Sequence, residues 1–260
     1  MSYKVDFHIH SSYSDGTMNP IDIVRKYKEE EYDIIALTDH DGIDGVKEAT
    51  IAGEALQIQV VPGIELATSY TLEEKDIELH LLGYYIDIEH PQLNEALLKL
   101  RQERQARNEK LLIHLNELGY QLTEDDLLDR PGKTYVGKPN FARALAKKGY
   151  AIDNPWALME QVERKKLSTK DAITLIKEAG GMAVLAHPMK TKGIGEPGTE
   201  AFFDHLKTML TQLKKEGLKG VECYHPSADE HQSFQLVTIA GNLHLHITEG
   251  SDFHGEEISL

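Results

Sequence analysis

Val5-Asp6-Phe7-His8-Ile9-His10 opens the chain and runs directly into Ser11-Ser12-Tyr13-Ser14-Asp15-Gly16. The first run reads as a strand. Side chains on a strand repeat every second residue, so His8 and His10 point the same way. Asp15 follows at a glycine-assisted turn. One His-x-His pair is weak evidence of chemistry. The same kind of strand end recurs, however, as Leu37-Thr38-Asp39-His40, Pro62-Gly63-Ile64-Glu65, Glu78-Leu79-His80, Leu185-Ala186-His187-Pro188 and Gly250-Ser251-Asp252-Phe253-His254. A single fold can gather such ends into one pocket.

Away from these ends, short β-rich runs alternate with helical patterns. Strands are expected at 5–9, 34–37, 59–62, 183–186, 220–224 and 245–248, with a hairpin built from 66–70 and 77–86. Helices are expected at 20–30, where Asn19 caps and Pro20 takes the first helical position, and at 43–56, 202–216 and 230–240. Such alternation implies an α/β protein with a mostly parallel sheet. Core strands near residues 5, 35, 60, 80, 184, 221 and 247 make seven, one short of a (β/α)8 barrel but enough for an irregular closed one. In these barrels chemistry sits at the C-terminal strand ends, which is where the His and acid residues fall. Residues 93–167 break the rhythm, with helical patterns at 93–118, 123–128, 140–148 and 155–162. The expected organisation is a barrel domain formed by 1–92 and 168–260, with 93–167 inserted as a helical subdomain over the barrel mouth.

A net charge of −15 argues against binding long nucleic acid through a basic surface. It leaves an anionic substrate open, because bound divalent ions reverse the sign of a carboxylate-lined site. The single cysteine, Cys223, permits no disulfide within the chain and reads as a small buried residue. No run approaches the ~20 apolar residues of a membrane span, and the charged start is not a signal peptide. A cytoplasmic location with no membrane partner is expected.

The candidate metal ligands are His8, His10, Asp15, His40, Glu65, His80, His187, Asp252 and His254. Mixed imidazole and carboxylate donors suit divalent Mn, Fe, Zn or Co better than Ca. Nine donors exceed what one ion takes, so two or three ions are implied. A lone histidine would read as a satisfied core or cap residue; nine donors at successive strand ends do not. Together these motifs resemble the PHP (polymerase and histidinol phosphatase) superfamily. They match best the stand-alone phosphoesterases with a helical insertion, a branch that includes 3',5'-nucleotide bisphosphate phosphatases and short-RNA 5'-3' exonucleases.

The resemblance implies a distorted (β/α)7, TIM-like barrel and a trinuclear site, with Mn2+ first and Fe2+, Zn2+ or Mg2+ as alternatives. It places His8, His10, Glu65 and Asp252 on the first ion, Asp15, His40 and His254 on the second, and Glu65, His80 and His187 on the third, with Glu65 bridging. Glu65 and Asp252 thereby join His225 as the residues expected at the catalytic centre. Three carboxylates leave three divalent ions with a net positive charge, which fits attack on phosphorus by a metal-bound hydroxide without a phosphoenzyme. Asp6 and Asp39, beside ligands, are expected to orient imidazoles or to make local hydrogen bonds.

Two further features point to phosphate. His225 lies just past the strand at 220–224, where it would bind a phosphoryl oxygen or protonate the leaving group. Arg130 and Lys138 precede a helix start, with Arg143 beyond it, an arrangement suited to a second phosphate. The other histidines, including His90, His114, His205, His231, His244 and His246, read as structural. Arg101, Arg104 and Arg107 read as a solvated helix face. Six residues follow His254, fewer than such chains commonly carry, so a more open barrel seam is expected.

The function these features point to is a hydrolase of phosphoric esters. Its expected substrate is a small phosphorylated nucleotide such as pAp, converted to the 5'-monophosphate. The alternatives are a 5'-3' exonuclease on short RNA, a histidinol-phosphate-type phosphatase and, outside enzymes, a metal-binding scaffold domain.

Overall fold

A computed structural model describes residues 3–72, 74–128 and 135–255. Strand β1 (Val5–Ile9) leads to helix α1 (Pro20–Glu29), β2 (Ile34–Leu37), α2 (Val46–Leu56), β3 (Gln59–Leu72) and β4 (Lys75–Tyr84). Helices α3 (Pro91–Glu117), α4 (Glu124–Leu127), α5 (Lys138–Lys147) and α6 (Pro155–Met159) follow. Then come β5 (Leu167–Ser168), α7 (Thr169–Glu178), β6 (Met182–Leu185), α8 (Glu200–Glu216), β7 (Gly220–Tyr224), α9 (Glu230–Asn242) and β8 (His246–Glu249).

Seven strands form the barrel wall in the order β1-β2-β3-β4-β6-β7-β8, with the two-residue β5 on the outside of β3. Strands β1 to β3 pair in parallel, as do β6 to β8. Strand β4 runs antiparallel to both β3 and β6. The nearly closed wall is bridged by the segment after β8: His10 donates its N–H to the Phe253 carbonyl at 2.8 Å, and Phe253 donates to the His8 carbonyl at 3.2 Å. The expected gap at the seam is therefore spanned, by the same residues that carry Asp252 and His254.

Hairpin β3–β4 differs from the expected short strands. The ladder runs unbroken from Gly63 opposite Tyr84 to Leu72 opposite Lys75, so β3 continues well beyond the barrel rim. Thr68, Tyr70 and Thr71, residue types that favour strands, sustain that extension. Glu65 and His80 consequently sit inside strands and not at their ends. They still reach the rim, because Glu65 lies level with His40 through an isolated bridge just past β2.

Helix α7 was not anticipated. Ser168 caps it by accepting the Asp171 N–H at 3.0 Å, and Ala172, Ile173 and Ile176 supply its buried face. Barrel helices bury against the strands, whereas Leu111, Leu115, Leu122, Phe141, Leu145 and Met159 make a separate cluster among α3 to α6. The barrel interior is filled by Ala36, Val61, Leu82, Tyr84, Val184 and Ala186. This plug closes the barrel below the ligand-bearing rim. No helix among the described residues is long and apolar enough to cross a membrane.

Candidate active site

All nine candidate ligands converge on one cluster with Glu65 at its hub. Glu65 Oε1 lies 2.8 Å from His80 Nδ1 and 3.0 Å from His187 Nε2. Its Oε2 lies 2.8 Å from His40 Nδ1, 3.3 Å from His10 Nε2 and 3.4 Å from His8 Nε2. Asp252 Oδ1 faces His10 Nε2 at 3.2 Å and His8 Nε2 at 3.5 Å. Asp15 Oδ1 faces His254 Nε2 at 3.2 Å, and its Oδ2 faces His40 Nε2 at 3.6 Å. Burial alone would push the Glu65 carboxyl upward; the imidazoles of His40, His8 and His80 reverse this and hold it well below the usual range. His10 moves the other way. Full burial, with His40 beside it, drops its ring to about 3.

Backbone strain accompanies two of the candidate ligands. His187 has φ of +25° and Asp252 φ of +54°, the left-handed region that non-glycine residues avoid. Each sits just past its strand, where the chain must reverse to aim the side chain across the rim. Gly250 supplies room: a Cβ there would overlap His8 Cβ and Glu222 Oε1.

The cluster fits divalent cations. His8 Nε2, both ring nitrogens of His10, Asp15 Oδ1 and Glu65 Oε2 are buried without a hydrogen-bond partner. Buried polar atoms are nearly always satisfied, so convergent orphans of this kind call for ions. Donor atoms lie within 4.8 Å of one another in the groups His10–Asp15–His40–His254, His8–His10–Asp252, His8–Glu65–His187 and His40–Glu65–His80. The first two correspond to the expected second and first ion positions. The third position is divided, with His80 grouped beside His40 and His187 beside His8.

Asp6 and Asp39 do not orient imidazoles. Asp6 accepts the Ser251 N–H at 3.0 Å, the His8 N–H at 3.1 Å and the Tyr27 hydroxyl at 2.8 Å. Asp39 accepts the N–H and hydroxyl of Ser11 at 2.7 and 2.6 Å. Loop amides that would otherwise be buried unpaired take these carboxylates first, and the loops are thereby stapled to β1 and β2. A buried carboxylate that does meet an imidazole is Glu222 on β7, at 2.9 Å from His8 Nδ1. Its sequence signal was an acid inside the otherwise apolar run Gly220-Val221-Glu222-Cys223.

The cluster opens into a cavity of about 720 Å³, whose far wall comes from α3, the start of α5, α6 and the loop after α6. Arg104, Arg107, Lys138, Arg164 and Lys166 line that wall. The reading of Arg104 and Arg107 as solvated is overturned: they are 5% and 6% exposed. Spaced three apart, they share one face of α3 and turn inward, while Arg101 pairs with Asp44 at the surface. Arg104 donates to Asp41 Oδ2 at 2.7 Å, and Arg164 donates to the same oxygen. Burial opposes ionisation of Asp41, but Arg164 and Arg104 hold its carboxyl below the ordinary range. Neither Asp41 nor Arg164 was singled out from the sequence; Asp41 stands directly after His40. Arg107 Nε and Arg164 Nη1 are buried donors without a partner. Burial lowers the Lys138 ammonium, and neighbouring Arg107 lowers it further.

The other expected substrate residues are placed differently. His225 is buried behind Asp252, with Nε2 3.3 Å from Asp252 Oδ2. Its Nδ1 accepts the Ser227 N–H at 2.9 Å, which puts the ring proton on Nε2. Arg143 is half-buried on α5, outside the cavity lining. Arg130 lies outside the described residues. Gly137 caps α5 with its N–H donated to Asn140 Oδ1 at 3.0 Å, so that amide is not free for a phosphate. Lys190, absent from the expected set, reaches Asp252 Oδ2 at 2.6 Å.

Histidines and carboxylates gathered on a barrel rim, facing a basic wall, define a metal-dependent hydrolase of phosphoester bonds. The chain belongs to the PHP domain family, whose model matches residues 6–165. It is 27% identical to a 5'-3' exoribonuclease of Haemophilus influenzae, over 98% of this chain and 91% of that protein. It is 28% identical to the 3',5'-nucleoside bisphosphate phosphatase of Chromobacterium violaceum, over 96% of this chain and 87% of that protein. Among solved structures, an amidohydrolase of Chromobacterium violaceum with bound sulfate and no metal matches with a TM-score of 0.83. That match is 26% identical and covers 97% of this chain and 88% of the other.

Proposed function

We propose that the protein removes the 3'-phosphate from a small nucleotide that also carries a 5'-phosphate, such as pAp. The observation that carries this reading is the buried basic wall opposite the ligand cluster. Arg104, Arg107 and Arg164 carry three guanidinium charges there, and among the described residues the carboxylate seen paired with them is Asp41. Two of their donors point at no acceptor. A second phosphate completes both charge and hydrogen bonding, since arginine forks match phosphate oxygens.

The nine ligands would hold two to three divalent ions, Mn2+ foremost, with Fe2+, Zn2+ or Mg2+ as alternatives. Such ions, when bound, polarise phosphoryl oxygens and acidify water. The chain's own residues do the rest. Arg107, Arg164 and Lys138 bind the phosphate that does not react, which fixes the other at the cluster. Asp41 keeps Arg104 and Arg164 extended toward it. His225, with its proton on Nε2, holds the Asp252 carboxylate in place, and the oxygen that leaves phosphorus as the P–O3' bond breaks takes its proton from water. Residues 93–167 act as an inserted cap that supplies the second phosphate site. The single buried cysteine suits a cytoplasmic enzyme.

A second reading, removal of 5'-nucleotides from short RNA, is favoured by the Haemophilus influenzae relative and by the cavity's size. The same wall would hold the terminal 5'-phosphate while a diester lay at the cluster. A Mn2+ assay across pAp, AMP, histidinol phosphate and 5'-phosphorylated di- to pentanucleotides separates these. Phosphate release from pAp far above AMP is expected. Brisk turnover of histidinol phosphate with none from pAp would overturn the nucleotide assignment.

A further inference from the structure

Glu222 is fully buried in β7, beneath the donor cluster, and among the described residues it shows no ion pair with arginine or lysine. Its Oε1 meets His8 Nδ1 at 2.9 Å. Its Oε2 accepts the His187 backbone N–H at 2.6 Å. Both oxygens are therefore engaged by residues that belong to the ligand set. Although Glu222, His8 and His225 could together hold a further ion, the oxygens are already committed, and His8 turns its other nitrogen, Nε2, toward Glu65 and Asp252.

A buried carboxylate of this kind is costly to fold unless its partners require it. Here the requirement is visible. With Nδ1–H donated to Glu222, His8 has its Nε2 lone pair free, and that atom is one of the buried orphans. The bond to the His187 amide anchors the turn in which His187 holds its strained φ of +25°. The packing around Gly250 closes over the same pair, since a Cβ there would overlap both His8 and Glu222.

We infer that Glu222 is a positioning residue that fixes the metal-facing nitrogen of His8 and the turn of His187 together, coupling the donor groups His8–His10–Asp252 and His8–Glu65–His187. The inference rests on the metal reading of the cluster. It assigns Glu222 no contact with substrate. The other two groups, His10–Asp15–His40–His254 and His40–Glu65–His80, contain neither His8 nor His187 and meet the coupled pair only through His10 and Glu65. Loss of the Glu222 carboxylate should weaken binding of the ions held by the coupled groups and leave one ion in place.

The test combines two variants with one measurement on the native protein. Glu222→Gln keeps the volume but must turn an NH2 group toward one of its two donors. Glu222→Leu removes both acceptors and fills the space. Zn2+ titration of each purified, ion-stripped protein, followed by elemental analysis after dialysis, should show one tightly bound ion retained and the others weakened by about 10- to 100-fold. Glu222→Leu, which leaves the His187 amide without an acceptor, should lower the metal-free unfolding midpoint, and Glu222→Gln should lower it less. In the native Zn2+-loaded protein, 15N spectra of His8 should show the proton on Nδ1 and none on Nε2. Unchanged affinity for all ions in both variants, or a native His8 protonated on Nε2, would overturn the inference. Equal weakening at every ion would reduce Glu222 to a structural group. A native protein that takes up no ion at all would overturn the metal reading itself, and this inference with it.

Discussion

Asp41, on the loop after β2, and Arg104, on α3, meet at 2.7 Å although 63 residues separate them. That contact ties the barrel rim to the first helix beyond β4. Arg164 donates to the same carboxylate oxygen from the other end of the helical stretch. The basic wall is thus held in place by an anion from the ligand-bearing rim.

Asp41→Ala should destabilise the protein by about 3 kcal/mol or more, because it strands two buried guanidinium groups without their counter-charge. Urea denaturation of the two proteins checks this. Asp41→Asn, which keeps the shape, should fall between them and raise KM more than it lowers kcat.

Arg107→Met and Arg164→Met should each lower kcat/KM for pAp by about 10- to 100-fold, the loss expected for charge-assisted hydrogen bonds worth ~1.5–3 kcal/mol. With p-nitrophenyl phosphate, which has one phosphate, the change should be several-fold smaller. Steady-state kinetics with both substrates would expose a general folding defect as equal losses on each.

Ion binding should release protons. Burial disfavours the charged His80 ring, but Glu65 and then Glu78 outweigh it and raise its pKa to about 10. Burial also opposes His254, and Asp15 lifts it to about 9. Both stand above the ordinary ~6.5, so without ions their contribution to stability is full below that pH. It is lost as pH rises through about 9 for His254 and about 10 for His80. The ion-free protein should therefore lose thermal stability between pH 7 and 10, while ion affinity rises over the same window. Calorimetric titration in buffers of different ionisation heat should find net proton release at pH 7 that fades toward pH 10.

Gly250→Ala should cost about 1–3 kcal/mol through overpacking, because the added methyl has only His8 and Glu222 to displace. It should also weaken ion binding, unlike Gly241→Ala, where a Cβ meets nothing within 4 Å. Thermal melts with and without Zn2+ compare the two.

The nine clustered donors and the α/β barrel were legible from local signals. A period of two placed His8 and His10 on one side, and recurring polar strand ends between apolar runs named the rest. Three features were not legible. Arg104 and Arg107 carry the same local pattern whether their helix face is wet or buried; only the approach of Asp41 and the loop bearing Arg164 decides it. Glu222 shows as an acid in an apolar strand, yet its partners His8 and His187 lie 214 and 35 residues away. Hairpin β3–β4 had recognisable strands, but the length of its ladder depends on pairing.

What the amino-acid sequence determined by itself was the kind of chemistry, because ligand identity and strand periodicity are properties of neighbouring residues. What only the tertiary structure decided was which donors stand together, which carboxylate meets which imidazole, and where the basic wall stands. These depend on distances of about 3 Å between residues far apart in the chain, the range at which hydrogen bonds and ion pairs act.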